Sequence, residues 1–571
     1  MSRVVVVGGG IAGLACAALL AADGHDVELL EQRPAVGGRA GSWARDGYRF
    51  DTGPSWYLMP EVFDHFFAMM GTSTAEQLDL HRLDPAYRVF FEGHDEPLDV
   101  AASTEANVAT FERIEPGAGQ ALRDYLVSAA DAYDIALRRF LYTSFTRPLA
   151  LASPDVLRRL PRLGPLLTRS LESFVGARFQ DRRLRQVLGY PAVFLGSSPD
   201  RTPSLYHLMS ALDLTGGVMY PQGGFTRLVE AVHDQAVARG VRVRTGARAV
   251  AVGTAPTGGP GIDEGGPDGP AEDGPTEDGP AAAGSGEGLT GRGARLRRTL
   301  VDRLPAGMRG RRARVTGVRW VDAEGVEHTS PADVVVAAAD LHHVETQLLP
   351  EHLRTYPQSY WDRRTSGPGA VLVLLGVRGE LPQLPHHSLF FTEDWQENFG
   401  RIRAGQVPDP ASSYVCRPSA TDPDVAPPGR ENLFVLVPMP ADPALGHGGV
   451  DGQGAPAVER VADAAIAQIA ERAGIPDLAE RVELRRTIGP ADFAADLSAW
   501  RGGMLGPAHT LAQSAMFRSG NVSRHVDGLL YAGSSTIPGI GLPMCLISAE
   551  LVAKRLRGDH STAPLPEPGA G

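Results

Sequence analysis

The chain has 571 residues, of which 43% are hydrophobic and 21% charged, and its net charge at pH 7 is −12. This length exceeds what one hydrophobic core usually supports, so two intertwined domains are expected. The negative charge argues against a nucleic-acid partner, and the absence of a long uninterrupted apolar run argues against a membrane-spanning helix. The three cysteines, Cys16, Cys416 and Cys545, are far apart and odd in number, which is typical of a reducing cytosol and not of a disulfide framework or a zinc site.

The N-terminus predicts a phosphate-binding turn. Residues 4–7 are four consecutive valines, a glycine-rich stretch follows directly, and residues 14–22 form an apolar, Ala-rich helix pattern. A strand that turns sharply into a helix presents free backbone N–H groups and the positive end of the helix dipole, where a pyrophosphate fits. Gly8 would permit the tight turn, Gly10 the approach of the phosphate, and Gly13 the packing of helix on strand. The candidate binding residues are Gly8, Gly10, Ile11, Ala12 and Gly13.

A second strand at residues 26–30 ends on an acid, Glu31, which is followed by Gln32. A carboxylate at this distance from the glycines can bind both ribose hydroxyls of an adenosine and repel a 2′-phosphate. Together these elements predict a dinucleotide site. The alternative of a signal peptide fits poorly, because three consecutive glycines interrupt the apolar stretch.

Two further features favour FAD over NAD. A Gly-Gly-Arg turn at Gly37, Gly38 and Arg39 replaces the usual next strand–helix unit, and Arg39 could reach a phosphate or the isoalloxazine edge. At the other end of the chain, an apolar strand at 529–533 breaks at a glycine, and a turn-rich stretch at 534–543 leads into a helix at 544–556. This second strand–glycine–helix element suits backbone contact with a flavin ring. An ordinary Gly/Pro connection is the structural alternative.

The middle of the chain is predicted to be helical from 104 to 215. Residues 138–186 carry eleven arginines against three acidic residues, interleaved with large apolar side chains. Such a segment suits the surface of an anionic bilayer, so we expect a peripheral membrane contact here. A solvated arginine face on core helices is the alternative.

The later elements are a helix at 225–239, strands at 241–244 and 249–252, a strand from 313 and a buried strand at 333–339. Between them, residues 256–312 are rich in Gly, Pro, Asp and Glu, and they predict a disordered insertion at the tip of a sheet hairpin. Residues 366–440 suggest strands of a substrate domain, and 457–473 a helix. The adjacent pairs His342-His343 and His386-His387 are not predicted to bind metal, because neighbouring residues on a strand point to opposite faces.

The expected fold is α/β: a Rossmann-like FAD-binding domain, a mixed-sheet substrate domain and a helical, membrane-facing insertion. The FAD-binding domain would comprise residues 1–100, 216–255, 313–350 and 501–557. The helical substrate-side region would be 101–215, and 351–500 would be mainly substrate domain. Residues 558–571 would be a disordered tail.

Several motifs resemble the carotenoid desaturases of the phytoene-desaturase type, within the FAD-dependent amine-oxidase-like superfamily. They are GGGIAGL at 8–14, GGRA at 37–40, DTGPS at 51–55, YPQGG at 220–224 and YAGSSTIPGIGLPMCLISAE at 531–550. The resemblance spans nearly the whole chain, and its C-terminal stretch is the specific part. Ser534-Ser535 departs from the small Ala-Gly pair of many relatives. The resemblance implies further cofactor-binding residues: Gly53, Pro54, Ala249, Gly533, Ser534, Leu542, Pro543 and Met544.

The resemblance also implies the chemistry, which is successive dehydrogenation of phytoene toward lycopene, with hydride transfer from an allylic C–H to FAD and a quinone or oxygen as electron acceptor. The substrate would be a hydrophobic polyene, and the enzyme would be cytoplasmic and peripherally associated with the cell membrane. Asp155 and Arg158 fall on one helix face and form the candidate acid/base pair. The alternative is a helix-start Asp with an incidental ion pair.

Two other functions stay open at this point. One is a related flavoenzyme that acts on another apolar or amine substrate, namely a carotenoid isomerase, ketolase or amine oxidase. An amine substrate would favour an aromatic cage, and the C-terminal turn offers no aromatic pair. The other is a non-enzymatic member of the fold that binds prenylated proteins. Such a protein would not need the Gly-Gly-Arg turn or the C-terminal element, and both are intact here.

Overall fold

The structure is a computed structural model that describes residues 1–145, 164–257 and 313–568. The predictions that concern residues 146–163 and 258–312 lie outside the described residues. These include the candidate pair Asp155 and Arg158, part of the arginine-rich segment and almost all of the insertion.

The described strands are, in chain order, β1 (Arg3–Val7), β2 (Asp26–Leu30), β3 (Ser42–Arg45), β4 (Tyr48–Asp51), β5 (Leu80–Arg82), β6 (Tyr87–Phe91), β7 (Leu98–Val100), β8 (Met219–Pro221), β9 (Arg242–Arg244), β10 (Arg248–Pro256), β11 (Ala313–Val321), β12 (Glu327–Pro331), β13 (Val334–Ala337), β14 (Gly369–Arg378), β15 (His387–Phe391), β16 (Ser413–Cys416), β17 (Arg430–Met439), β18 (Val482–Ile488), β19 (Val526–Asp527) and β20 (Leu529–Tyr531).

The described α-helices are Ile11–Ala22, Pro60–Met69, Thr74–Gln77, Thr104–Ile114, Ala118–Ile135, Leu171–Gly176, Arg182–Gly189, Pro191–Phe194, Met209–Ala211, Gly224–Ala238, Leu341–Gln347, Gln358–Trp361, Trp395–Arg403, Pro456–Arg472, Leu478–Arg481, Pro490–Leu497 and Leu542–Arg557. Two π-helical turns, Ala136–Leu141 and Leu212–Gly216, extend helical segments of the middle region.

A five-stranded parallel sheet carries the N-terminal strand at its centre, in the order β20-β13-β1-β2-β9. The four valines of β1 are buried, as expected for a parallel strand covered on both faces. The helix Ile11–Ala22 packs between the helices Gly224–Ala238 and Leu542–Arg557. The predicted strand–turn–helix at the N-terminus and the predicted C-terminal helix are confirmed, and the two lie against each other.

Strands β10 and β11 form an antiparallel hairpin that ends with Pro256 paired to Ala313. The described residues on either side of 258–312 therefore meet at the tip of this hairpin, where the sequence predicts an insertion. The hairpin continues into β12, and β19 adds to β11 in parallel.

A seven-stranded mixed sheet forms the second layer, in the order β18-β14-β17-β16-β15-β6-β7. Its outer strands correct the predicted boundary at residue 100, because β6 pairs in parallel with β15 and β7 pairs with β6. Residues 87–100 thus belong to the second sheet and not to the FAD-binding domain. The reason is that Val89 and Phe91 are buried in the same hydrophobic cluster as Phe391, a contact between segments 300 residues apart that local patterning cannot show.

The predicted disordered tail is also wrong, for residues 559–568. Lys554 Nζ donates hydrogen bonds to the carbonyl oxygens of Ser561 (2.9 Å) and Ala563 (2.5 Å). Leu565 is buried in the core around the helix Ile11–Ala22, and its N–H donates to the Glu550 carboxylate. A single buried leucine and a buried lysine that needs acceptors hold this polar segment against the last helix.

Candidate active site

The glycine turn after β1 has the geometry that its three glycines predict. Gly8 has a φ of +105°, and a Cβ there would lie 3.0 Å from the backbone nitrogen of Ala339. A Cβ on Gly13 would lie 1.9 Å from the Gly8 carbonyl oxygen, so helix and strand approach too closely for any side chain. Gly10 differs, since the nearest atom to its Cβ position is the Gly37 oxygen at 4.0 Å. The turn therefore leaves open space in front of Gly10 alone.

Glu31 follows β2 and is 6% exposed. Its Oε2 accepts a hydrogen bond from the backbone N–H of Gly9 at 2.7 Å, and its Oε1 accepts one from the N–H of Arg33 at 2.8 Å. The first of these bonds joins the Glu31 carboxylate to the glycine turn. Each oxygen keeps a further lone pair, because a carboxylate can accept about four hydrogen bonds.

The Gly-Gly-Arg turn lies directly against this first turn, since the Gly37 N–H donates to the Gly9 carbonyl at 2.8 Å. Arg39 Nε donates to the Met504 carbonyl at 3.0 Å, and its Nη2 forms a 3.5 Å ion pair with Asp340. A Cβ on Gly53 would lie 1.9 Å from the Arg39 carbonyl oxygen, so the third glycine segment packs on the second. Sequence reasoning missed Asp340, although an acid three residues after the end of the buried β13 was a usable signal.

The C-terminal turn is held by a buried arginine that sequence reasoning did not single out. Arg518 donates to the backbone carbonyls of Pro507, Gln513, Ser534 and Thr536. Burial lowers the pKa of its guanidinium to about 10. The Gly533 N–H donates to Ser548 Oγ in the last helix at 3.0 Å. These bonds fold residues 533–541 over the N-terminus of that helix.

One cavity of about 660 Å³ joins all of these turns. Its lining includes every predicted cofactor-binding residue except Gly13, which packs inside the fold: Gly8, Gly10, Ile11, Ala12, Glu31, Gln32, Gly38, Arg39, Gly53, Pro54, Ala249, Gly533, Ser534, Leu542, Pro543 and Met544. The helices that begin at Ile11 and Leu542 both open onto it.

The residues present fit FAD. An acidic acceptor, a glycine turn with space in front of Gly10, and backbone-lined turns at Pro54 and Pro543 follow one another along a single cavity. Helix N-termini favour negatively charged groups such as a pyrophosphate. The acceptor at Glu31 suits ribose hydroxyls.

Beyond these turns the cavity continues between large apolar side chains. Aromatic residues from several elements form one wall, which we call the aromatic wall: Trp56, Tyr190, Phe194, Phe391, Trp395 and Tyr414. Leu372, Leu389 and Leu436 of the second sheet line the same region. This wall was not predicted, because its members are scattered over 360 residues of sequence.

Behind the wall lies a buried carboxylate, Asp213, on the π-helical turn Leu212–Gly216. Its Oδ2 accepts hydrogen bonds from Tyr190 (2.7 Å) and Tyr87 (3.0 Å). Burial raises the pKa of Asp213 to about 6, and the two tyrosine hydroxyls oppose that shift. The carboxyl group therefore changes its protonation state near pH 6 and is mostly ionised at pH 7.

The prediction that adjacent histidines point apart is wrong for His386 and His387. Their ring centroids are 4.5 Å apart, and both rings lie near Cys416. The physical reason is that β15 begins only at His387, so His386 lies outside the regular strand alternation. Burial lowers the pKa of His386 to about 3 and that of His387 well below its usual range, so both rings are neutral.

The cavity reaches the surface at an apolar rim formed by Leu167, Leu511, Met516 and Phe517. These four side chains line the cavity and are 38–56% exposed. Large exposed apolar groups that cluster at a cavity mouth mark an interaction surface. Within the parts of the chain that the structure describes, no helix combines the length and apolarity that crossing a bilayer requires.

The chain matches the family described as flavin containing amine oxidoreductase over residues 11–269 and 294–557. It is 37% identical to a carotenoid 3,4-desaturase of Haloarcula japonica, over 97% of this chain and 98% of that protein. It is 33% identical to a phytoene dehydrogenase of Streptomyces griseus, over 100% of this chain and 98% of that protein. It is 32% identical to a zeta-carotene-forming phytoene desaturase of Myxococcus xanthus, over 97% of this chain and 93% of that protein.

Solved structures show the same fold at low identity. A putrescine oxidase matches with a TM-score of 0.55 and 15% identity, over 98% of this chain and 99% of that one. An oxidoreductase of Methanosarcina mazei matches with a TM-score of 0.56 and 14% identity, over 97% and 100%. Fold, family and cavity agree, and the expectation of FAD is confirmed. The chain belongs to the flavin-containing amine oxidoreductase family and, within it, to the phytoene-desaturase-type enzymes, which are FAD-dependent oxidoreductases acting on CH–CH groups.

Proposed function

We propose that this enzyme dehydrogenates phytoene stepwise toward lycopene. The observation that carries the proposal is the continuity of one cavity from the candidate FAD site, past the aromatic wall, to the apolar rim. A long hydrocarbon without polar groups needs such a lining, because it offers nothing for charged or hydrogen-bonding side chains to recognise. The names of the similar desaturases support a carotenoid substrate.

In this proposal, the residues of the cavity orient the polyene and exclude water. When bound, FAD accepts the hydride that leaves an allylic carbon. The glycine turn and Glu31 would hold the nucleotide part, while Pro54, Ser534 and Pro543 would present backbone and small side chains to the ring system. The aromatic wall would contact the substrate by dispersion, a large collective term for an extended polyene.

A second hydrogen must leave the neighbouring carbon as a proton. Asp155, with Arg158, remains the proposed acceptor on sequence grounds. Variants of this pair should lower turnover without changing flavin content, so an Asp155→Asn enzyme that desaturates at the normal rate would exclude Asp155 from the reaction.

Access to the substrate would be from a bilayer, because phytoene has negligible solubility in water. We propose that the apolar rim docks on the membrane and that the arginine-rich segment at 138–186 adds attraction to anionic lipid. Reduced enzyme would then pass its electrons to a membrane quinone or to oxygen.

A second candidate is a later desaturation on an already coloured carotenoid. It is favoured by the 37% identity to the carotenoid 3,4-desaturase. The same cavity would accommodate either substrate, because both are long polyenes. The two candidate functions differ in which C–H bonds are presented to the cofactor.

The test is anaerobic incubation of the FAD-loaded enzyme with liposomes that contain either phytoene or lycopene, with products followed by absorption spectrum. Formation of chromophores from phytoene supports the proposal, and turnover of lycopene alone supports the second candidate. Addition of a quinone or of oxygen after the anaerobic phase identifies the acceptor. Enzyme with the Gly10→Val change serves as the control for cofactor-independent conversion. Absence of change in either substrate, with flavin fully bound, would overturn both candidates.

A further inference from the structure

Three potential metal ligands meet outside the cofactor turns, at one end of the second sheet. His387 begins β15 and Cys416 ends β16, and the two residues are direct partners in the antiparallel register. His386 precedes them by one residue. All three side chains are buried, and one potential ligand atom from each lies within 4.8 Å of the other two.

In both imidazole rings, Nδ1 has a hydrogen-bond partner and Nε2 has none among the described residues. His386 Nδ1 lies 2.8 Å from Thr421 Oγ1, and His387 Nδ1 lies 2.8 Å from the Tyr414 hydroxyl. The Nε2 atoms of both rings are fully buried and have no hydrogen-bond partner among the residues that the structure describes. Buried polar atoms are nearly always paired, so two orphaned imidazole nitrogens on the residues of this cluster call for an explanation.

We propose that His386, His387 and Cys416 form a binding site for a thiophilic divalent cation of the Zn²⁺ type. Two imidazole nitrogens and one thiolate are ligands that zinc prefers, and three protein ligands leave a fourth position for water. Binding displaces the thiol proton of Cys416 to solvent, so the cation replaces that proton and is held by a thiolate. This site is separate from the proposed desaturation chemistry.

The contacts of the Nδ1 atoms suit metal-bound histidines. A ligating histidine normally donates its other N–H to a fixed acceptor, which sets the tautomer and the ring orientation. Thr421 Oγ1 and the Tyr414 hydroxyl are placed to accept these two N–H groups. The Tyr414 hydroxyl can in turn donate to Ser55 Oγ, which lies 2.6 Å away, so the chain of bonds beyond His387 is complete.

The surrounding charges also suit a cation. The carboxylates of Asp51 and Asp422 are close by: Asp51 acts electrostatically on Cys416, and Asp422 accepts a hydrogen bond from Tyr220, whose ring lies 4.5 Å from His386. Two arginines are also near: Arg49 lies 4.0 Å from Asp422, and Arg417 is paired with Glu431 at 2.7 Å.

A bound cation would stiffen the aromatic wall. The His387 ring stacks on Trp56 with centroids 4.7 Å apart and an interplanar angle of 14°. Fixing His387 to Cys416 would thereby hold Trp56 in place at the cavity surface. The expected role is structural support of the wall and not chemistry at the substrate.

The test uses the FAD-loaded enzyme, treated with a chelator, then dialysed against ZnCl₂ or CoCl₂ and analysed for bound metal. We expect about one zinc per chain in the wild type and loss of it in Cys416→Ala and in the double variant His386→Ala/His387→Ala. Cys16→Ala and His328→Gln, which change a thiol and an imidazole elsewhere, should keep the metal. With cobalt, the wild type should show a thiolate charge-transfer band that Cys416→Ala lacks.

A positioning variant separates ligation from simple packing. Thr421→Val should weaken zinc binding roughly tenfold or more, and Thr421→Ser should restore it. Flavin content and far-UV circular dichroism report whether each variant is folded. Folded, flavin-loaded wild type that holds no zinc or cobalt would overturn the proposal, and so would equal metal content in the wild type and in Cys416→Ala.

Discussion

The carboxylate of Glu31 accepts a hydrogen bond from the backbone N–H of Gly9 at 2.7 Å, across the edge of the parallel sheet. This bond joins the two parts of the predicted nucleotide site: the acid after β2 sets the conformation of the glycine turn after β1. The Glu31 side chain thus has two roles: it bonds to the glycine turn, and it also lines the cavity.

Glu31→Gln should therefore weaken FAD retention for two reasons. It replaces a charge-assisted hydrogen bond to ribose with a neutral one, and the amide group has only one accepting oxygen for the N–H groups of Gly9 and Arg33. We expect a loss of roughly 1.5–3 kcal/mol in FAD binding. Flavin absorbance per protein after gel filtration measures it. The control is Glu28→Gln, which changes a carboxylate on β2 that forms an ion pair with Arg244. Unchanged flavin loading in Glu31→Gln would remove Glu31 from the site.

Gly10→Val and Gly13→Ala should fail in different ways. The nearest atom to a Cβ at Gly10, apart from its chain neighbours, is the Gly37 oxygen at 4.0 Å, so the variant should fold normally and lose FAD. A Cβ at Gly13 would overlap the Gly8 carbonyl, so this smaller change should cost roughly 1–3 kcal/mol of stability or more. Thermal unfolding of the apoproteins, together with flavin content, distinguishes the two. A folded Gly10→Val protein that retains flavin would contradict the assignment of the open space.

Removal of residues 258–311, with β10 and β11 joined by a short turn, should leave flavin content and activity unchanged. The two strands already pair up to Pro256 and Ala313, so the hairpin is closed without the insertion. Shortening a loop of this length should add up to roughly 2 kcal/mol of stability. A protein with a scrambled 258–311 sequence separates the effect of length from that of sequence. Loss of flavin or of solubility in the shortened protein would show that the insertion packs on the rest of the chain.

Asp213→Asn should change the pH dependence of stability. Burial raises the pKa of Asp213 to about 6, so the stability that comes from its neutral form is complete below about pH 4 and is lost as pH rises through 6. The amide cannot ionise and escapes this loss. Relative to wild type, the variant should gain roughly 1 kcal/mol between pH 5 and pH 7.5, as measured by denaturant unfolding.

The exposed Asp95 provides the matched control, since Asp95→Asn removes the same charge from the surface. A stability difference between wild type and Asp213→Asn that stays constant across this pH range would contradict the shifted pKa.

Membrane binding should depend on both the rim and the arginines. Met516→Ser/Phe517→Ser should reduce sedimentation with all liposomes, because it removes exposed apolar area at the cavity mouth. Changing Arg158, Arg159 and Arg162 to Gln should reduce binding to anionic liposomes by roughly 2–3 kcal/mol, with an effect that salt screens. Flavin content should not change in either variant.

Val326→Ser, which alters an exposed apolar residue away from the cavity, controls for general hydrophobicity. Liposome binding that ignores lipid charge, salt and all of these substitutions would exclude the rim and the arginine-rich segment as the docking surface.

The sequence by itself determined the elements whose signals are local. Four consecutive valines, a glycine turn and an Ala-rich stretch predict a strand of a parallel sheet that turns into a helix, because the residues that favour the strand, the turn and the helix are adjacent in sequence. The acid after β2, the interrupted hairpin β10–β11 and the last helix were readable for the same reason.

Only the tertiary structure decided what distant segments build together. Strands β6 and β7 join the second sheet, Leu565 packs on the core, and Trp56 contacts His387 and Tyr414. Each of these contacts brings together segments that are far apart in sequence, and no local pattern shows which segment will be the partner. Asp213 became a buried carboxylate, and His386, His387 and Cys416 became one cluster, through the packing of separate elements. Local spacing determines which way a side chain leaves its own element, whereas burial and the identity of its neighbours are properties of the packed fold.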